Sequence, residues 1–221
     1  MLTAKYDGIS YYTNDPAFQW HINNGRCEPY GGGQLDFVKK YLEKFPLKNR
    51  TCIDIGAHQG TTMLPYSKLF KNVFGYEPNK TSFDICLKNL ELNSSKNCSV
   101  KNNAVLDRII TGVSIMHAGG NSGCYYFKED ASSSVSSIIL DKENIVDVDF
   151  MKIDTEGSEL YVLKGAKELI TKYKPLLQVE LIGLSERHFG IKSSETIDFL
   201  DKIGYKQMDN TEFFQHLDTL N

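Results

Sequence analysis

Residues 51–60, Thr-Cys-Ile-Asp-Ile-Gly-Ala-His-Gln-Gly, and the stretch after them narrow the folds open to this chain more than any other feature. The run from Thr51 to Ile55 is β-branched and apolar, the composition of a buried parallel strand. It ends in Asp54-x-Gly56-x-x-x-Gly60, and helical spacing begins at once over residues 61–70. Strand, glycine-rich turn and helix N-terminus in succession aim backbone N–H groups and a helix dipole at an anionic ligand group. Gly56 frees φ in the turn, and Gly60 lets a ligand approach bare backbone. Roughly twenty residues on, a second strand over residues 72–76 ends in Glu77, the place where a doubly wound sheet holds a ribose hydroxyl pair. Together these residues predict a nucleoside-cofactor site.

The glycines do not follow Gly-x-Gly-x-x-Gly, and no Gly-x-x-x-x-Gly-Lys-Ser/Thr is present, so neither a dinucleotide fingerprint nor a Walker loop is formed. An acid two residues before the first glycine, with three residues between the glycines, resembles the cofactor loop of class I methyltransferases. That loop faces the amino-acid end of S-adenosylmethionine. A carboxylate is costly beside a pyrophosphate but favourable beside an ammonium, directly or through water. Asp54 is also explained as a turn residue bonding local amides after a core strand.

The chain has 221 residues, 41% of them hydrophobic and 24% charged, which suits one α/β domain with an N-terminal extension. Its net charge of −3, with no dense Lys/Arg stripe, disfavours nucleic acid as the main partner. The five cysteines are odd in number and lack Cys-x-x-Cys spacing, which predicts reduced thiols in a cytoplasmic protein. No signal peptide or long apolar span is visible, so no membrane span is expected. Monomer and homo-oligomer both stay open.

Along the chain, residues 1–33 read as irregular and aromatic-rich, and Leu35, Val38, Leu42 and Phe45 recur at helical spacing. Residues 1–50 are expected to form an extension and helix covering the cofactor and acceptor site, and residues 51–221 the main domain. Asn79 or Thr81 can cap a helix with Phe83, Leu87 and Leu90 on one face. A third strand is predicted over residues 98–105, then a hairpin of residues 112–117 and 124–127, and an edge strand near residues 138–140. A fourth parallel strand covers residues 148–153, followed by a helical stretch broken at Gly165. A fifth strand covers residues 176–181. Ser193 or Ser194 caps a helix that Gly204 stops, and residues 205–208 and 213–217 pair at the end. The predicted fold is α/β: a Rossmann-like seven-strand mixed sheet, helices on both faces, with a terminal antiparallel hairpin.

Three stretches, Cys52-Ile-Asp-Ile-Gly-Ala-His-Gln-Gly60, Gly75-Tyr-Glu-Pro-Asn79 and Phe150-Met-Lys-Ile-Asp-Thr-Glu-Gly-Ser-Glu-Leu-Tyr-Val-Leu-Lys-Gly-Ala166, resemble the FkbM-type methyltransferases. The resemblance covers about residues 50–182. It implies a class I fold, S-adenosylmethionine as donor, and O-methylation of a hydroxyl, often on a sugar or a hydroxylated natural product. The implied cofactor contacts are Asp54, Gly56, Gly60 and Thr61, with Ala57 and His58 beside them, then Glu77, Pro78 and Asn79. Asn103 and Ala104 match the adenine side, and Asp154 is counted with the candidate cofactor contacts. His58-Gln59 departs from the family's commoner pair of Asn and a small or apolar residue.

Methyl transfer to a hydroxyl is an in-line displacement that needs an oriented nucleophile and an acceptor for its proton. Asp154 and Glu156, outside the end of the fourth strand, are candidate catalytic residues, with His117 as a third. Each has a plainer explanation: Asp154 as a helix cap, Glu156 as a dipole partner, His117 as a surface side chain. Glu180 and Asp154 make two carboxylates with no third ligand, so no metal is expected. His188, Ser122, Gly123 and the aromatic N-terminal residues with Trp20 are weaker candidates for the acceptor side. The reading is an S-adenosylmethionine-dependent O-methyltransferase acting on a saccharide or glycan-related acceptor. Its rivals are a non-catalytic cofactor-binding module in glycan biosynthesis and a nucleotide-sugar or nicotinamide oxidoreductase.

Overall fold

The computed structural model of the chain describes residues 2–23, 32–44, 50–117, 125–181, 183–209 and 211–219. Seven strands form one mixed sheet, and three two-stranded pairs accompany it. The chain also divides into two compact units, one spanning Met1–Asn102 and the other holding the described residues from Asn103 onward.

The first unit opens with a hairpin rather than the irregular segment expected. Strands β1 (Leu2–Tyr6) and β2 (Ile9–Thr13) pair antiparallel, with Tyr6 opposite Ile9. The two-residue turn is Asp7-Gly8, both at positive φ (46° and 71°). Asp-Gly is the dipeptide that such a twisted turn favours, so this hairpin was legible in the sequence. Helix α1 (Pro16–Asn23) follows, and its Phe18 packs edge-on against Tyr11 at 5.6 Å between ring centres. Helix α2 (Gly32–Lys44) lies where the apolar spacing predicted it. Cys27, Tyr30, Gly31 and residues 45–49 lie outside the described residues.

Strand β3 (Thr51–Ile55) is buried along its whole length, as expected of a β-branched parallel strand, and carries Asp54 into the interior with it. The helix after it, α3 (Met63–Ser67), is shorter than predicted and holds Pro65 in its first turn, where no intrahelical N–H bond is lost. Strand β4 (Asn72–Tyr76) pairs parallel with β3 and with β5 (Cys98–Lys101). Between them runs α4 (Lys80–Leu92), capped by Asn79, whose Oδ1 accepts from Thr81 N at 3.0 Å and Ser82 N at 3.1 Å. Its buried face is not the predicted one. Leu87 is 44% exposed, while Ser82, Ile85, Cys86, Asn89 and Leu90 are buried.

In the second unit, the predicted third strand breaks. Strand β6 (Asn103–Val105) leaves the main sheet's strand order and pairs parallel with β9 (Ser136–Ile138). The predicted hairpin is present as β7 (Val113–His117) and β8 (Tyr125–Glu129); its turn, with Ser122 and Gly123, lies outside the described residues. Strand β10 (Val148–Ile153) is buried throughout. Helices α5 (Glu159–Gly165) and α6 (Lys167–Tyr173) meet at the expected break. There a Cβ on Gly165 would lie 2.2 Å from the Leu106 carbonyl oxygen, so only a glycine lets α5 approach that backbone. Strand β11 (Leu176–Val179) runs parallel to β10.

After β11 the chain forms a helix, α7 (Leu184–Phe189), which carries His188. Two stacked ring pairs join it to β8: Tyr126 with His188 at 4.0 Å and Phe127 with Phe189 at 4.9 Å. Helix α8 (Ser193–Lys202) starts at Ser193 and not after it; its entry is held by Glu195, which accepts from Lys192 N at 3.0 Å. Strands β12 (Tyr205–Gln207) and β13 (Phe213–His216) close the unit as the antiparallel pair expected. The sheet order is β12-β13-β11-β10-β3-β4-β5, that of a Rossmann-like class I methyltransferase fold.

Candidate functional site

The first group of site residues gathers at the ends of β3 and β4. Gly56 N and Ala57 N both donate to Tyr76 O at 3.0 Å, which folds the loop back over the neighbouring strand. Positive φ at Gly56 (86°), His58 (49°) and Gly60 (79°) then drives three changes of direction in five residues. For His58, which carries a side chain, this costs about 1–2 kcal/mol. A Cβ on Gly60 would stand 3.0 Å from Cys86 Sγ, so the glycine also lets α4 lie against the loop. Burial, then the charges of Asp54 and Glu77, pushes the Cys86 thiol far up and keeps it protonated.

Glu77, only 7% exposed, ties this loop together. Its Oε2 accepts from His58 N at 2.8 Å and its Oε1 from Asn79 N at 2.7 Å. Behind it, Asn102 Nδ2 donates to Glu77 O at 2.8 Å and Pro78 O at 3.0 Å, a clamp that sequence reasoning did not find. Asp54 is fully buried and accepts the Thr62 hydroxyl at 2.5 Å; Thr61, beside it, is 4% exposed.

Asn103 and Ala104 belong to β6. Asn103 Nδ2 donates to Ser136 O and Ser136 Oγ, both at 3.1 Å, and Ala104 is buried. His117 ends β7 opposite Tyr125, and its side chain lies outside the described part of the structure.

The second group gathers after β10 and β11. Glu180 N donates to Ile153 O at 3.0 Å, which sets Glu180 beside Asp154. The loop after β10 turns back at Glu156 (φ 56°) and Gly157 (φ 116°). Glu159 holds that turn from the first turn of α5: its Oε1 accepts from Gly157 N at 2.9 Å, Thr155 Oγ1 at 3.1 Å and Thr155 N at 3.2 Å. One carboxylate oxygen each from Asp154, Glu156 and Glu180 then lies within 4.8 Å of the other two. Glu156 is thus the third carboxylate that the sequence did not bring to Asp154 and Glu180. Such a triad could hold a divalent cation through oxygen ligands.

Two such charges repel by roughly 3–4 kcal/mol at an effective dielectric near 20, so the triad needs neutralising. Lys152, 4% exposed, donates to Asp154 Oδ2 at 2.8 Å. It lies on β10, where every residue is buried, and no sequence signal marked it as an ion-pair partner. Burial and the adjacent Asp154 carboxylate hold the Glu180 carboxyl well above the usual range, so it keeps its proton. Burial, then the charges of Asp154 and Glu159, raises Glu156 to about 7. Coupled carboxyls with separated proton affinities mark sites of acid–base chemistry.

The sheet order is that of a class I methyltransferase domain, with Glu77 just past β4 and Asp154 just past β10. The Methyltransferase FkbM domain matches residues 54–207, and the chain belongs to that family. Among solved structures it is similar to the methyltransferase FkbM of Methylobacillus flagellatus KT, with 17% identity, a TM-score of 0.49 and 75% of this chain covered. It spans 43% of that chain. It is also similar to the precorrin-6y C5,15-methyltransferase of Geobacter metallireducens GS-15, at 13% identity and TM-score 0.47, covering 81% of this chain and 76% of that one. The ribosomal protein L11 methylase of Lactobacillus delbrueckii subsp. bulgaricus gives 12% identity and TM-score 0.47, covering 82% and 74%. No curated protein matches. No helix among the described residues is long and apolar enough to cross a membrane.

Proposed function

We propose that the chain transfers a methyl group from S-adenosylmethionine to a hydroxyl of a saccharide or glycan-related acceptor. The observation that carries the donor is Glu77: a buried carboxylate just past β4 whose two oxygens accept from His58 N and Asn79 N, at the place where a doubly wound sheet holds a ribose hydroxyl pair. Asp54, without an anion-binding role in such a loop, suits the ammonium of the donor's amino-acid end. When bound, S-adenosylmethionine supplies an electrophilic methyl on a sulfonium, a good leaving group.

The chain's own task is to orient a hydroxyl and take its proton. A sugar hydroxyl is a weak acid, so the base works best with a pKa near the working pH. Glu156, raised to about 7, meets that condition. Asp154, held by Lys152, carries a charge that orients the hydroxyl and keeps Glu156 basic. In the transfer, the acceptor O–C bond forms as the C–S bond breaks, and the hydroxyl proton passes to a Glu156 carboxylate oxygen. Lys152 and the proton on Glu180 neutralise the triad without a metal.

Calorimetry with S-adenosylmethionine, its demethylated product and a nicotinamide dinucleotide tests the donor; binding of the dinucleotide alone would overturn the reading. A methyl-release assay over nucleotide sugars and free glycans tests the acceptor. Donor binding with no turnover on any of them would favour the non-catalytic module. Glu156→Gln is expected to lower turnover by ~10²-fold or more with donor affinity little changed. Asp154→Asn removes a charge that raises Glu156, so the acid limb of its pH–rate profile moves to lower pH. Chelator is expected to leave turnover intact; loss of turnover restored by magnesium would assign the triad to a metal instead.

A further inference from the structure

Gln59 lies inside the loop after β3, yet its side chain serves the N-terminal segment. It is 1% exposed. The Thr13 hydroxyl donates to Gln59 Oε1 at 2.7 Å, and Gln59 Nε2 donates to Asn14 Oδ1 at 2.9 Å. Asn89, fully buried on α4, binds the same two stretches. Its Nδ2 donates to Gln59 O at 2.8 Å and Tyr12 O at 3.0 Å, while its Oδ1 accepts from Tyr12 N at 2.6 Å. One turn further along α4, Asn93 repeats the pattern on Ser10, accepting from its N at 2.9 Å and donating to its O at 2.7 Å. Two carboxamides thus give β2 the hydrogen bonds that a neighbouring strand would give.

The linkage continues into α1. Thr13 Oγ1 accepts from Asp15 N at 3.0 Å, and Asp15 Oδ1 accepts from Phe18 N at 3.2 Å, capping that helix. The loop that Gln59 occupies carries positive φ at Gly56, His58 and Gly60. Backbone in such a conformation persists only where its surroundings over-determine it. Glu77 restrains it at His58 N, and the Gln59–Asn89 bonds restrain it one residue later.

We propose that residues 12–15 and α1 form a strap docked on the cofactor loop, with Gln59 as the positioning residue that couples strap docking to cofactor binding. This rests on the reading that S-adenosylmethionine binds at that loop. A loop held in its binding shape beforehand loses less freedom on binding, so cutting the latch weakens the donor without touching a donor contact.

The test uses the demethylated product as probe, with calorimetry and hydrogen exchange on the full chain. On wild type, the product is expected to slow amide exchange over residues 9–23. Gln59→Leu, which breaks both side-chain bonds, is expected to weaken product binding about tenfold or more and to abolish that slowing. Asn14→Ala, at an exposed position that folding tolerates, is expected to weaken it severalfold. Gln59→Glu keeps an acceptor for Thr13 and can accept from a rotated Asn14 amide, so it restores most of the affinity. Asn93→Leu removes the parallel staple one turn away and leaves affinity unchanged whatever it does to stability. Wild-type affinity in both Gln59→Leu and Asn14→Ala, or an equal loss in Asn93→Leu, would overturn the coupling while the donor reading stands. Wild-type protein that does not bind the product would overturn both.

Discussion

At the scale of single residues, Glu156 combines a left-handed backbone (φ 56°) with a carboxyl raised to about 7 by burial and by its acidic neighbours. Its stability linkage has a definite sign. A carboxyl whose folded pKa lies above its unfolded value holds its proton better in the folded chain, so its contribution is complete below about 4.5 and is lost as pH rises to about 7. Glu156→Gln removes that loss. With chelator present, the variant is expected to melt higher than wild type at pH 8 and equally at pH 5, measured by thermal unfolding. An equal shift at both pH values would refute the raised carboxyl. The same variant is the one expected to lose turnover, so a gain in stability would accompany a loss of activity. Asp54, Glu77 and Asp154 were legible because Asp54 is the penultimate residue of β3 and the other two directly follow β4 and β10, strands plain in the sequence. Lys152 and Gln59 were not. Their partners, Asp154 across one strand pleat and Thr13 across 46 positions, are set by where side chains point in the folded chain.

Elements were legible where one face or one local signal decides them. The break between α5 and α6 fell at Gly165 as predicted, but the reason is tertiary. Gly165→Ala keeps a good helix former yet sets a Cβ 2.2 Å from the Leu106 carbonyl oxygen. We expect a loss of about 1–3 kcal/mol, the usual cost of overpacking, read as a lower denaturant midpoint. A neutral or stabilising result would mean that propensity alone governs the break. Helix α4 shows the converse. Its apolar spacing pointed to Phe83, Leu87 and Leu90, whereas the face turned inward carries Ser82, Cys86 and Asn89 with Ile85 and Leu90. Small and amide side chains fit there because that face meets bare backbone at Gly60 and hydrogen-bonds the backbone of Tyr12. Hydrophobic periodicity cannot foresee a face that is buried by hydrogen bonding.

For the molecule as a whole, a ligand that binds only the folded state stabilises it by mass action, by about 2.7 kcal/mol at a hundred times its dissociation constant. For a chain of this size that corresponds to a rise of roughly 5–10 °C in melting temperature. Saturating demethylated product is expected to give such a rise in wild type, a nicotinamide dinucleotide none, and Glu77→Ala little or none with product. A full rise in Glu77→Ala would remove that residue from the donor site. By itself, the sequence determined the strands β3, β4, β10 and β11 with the helices between them, the glycine turn after β3, and the acids just past β4 and β10. These depend on a strand's own composition and on the residue that follows it. Only the tertiary structure decided that Glu156 joins Asp154 and Glu180, that Lys152 neutralises them, and that the N-terminal hairpin and α1 are latched to the loop after β3 through Gln59 and Asn89. Those outcomes are hydrogen bonds and charge pairs between side chains whose directions are set only when separate elements pack, and no local spacing encodes them.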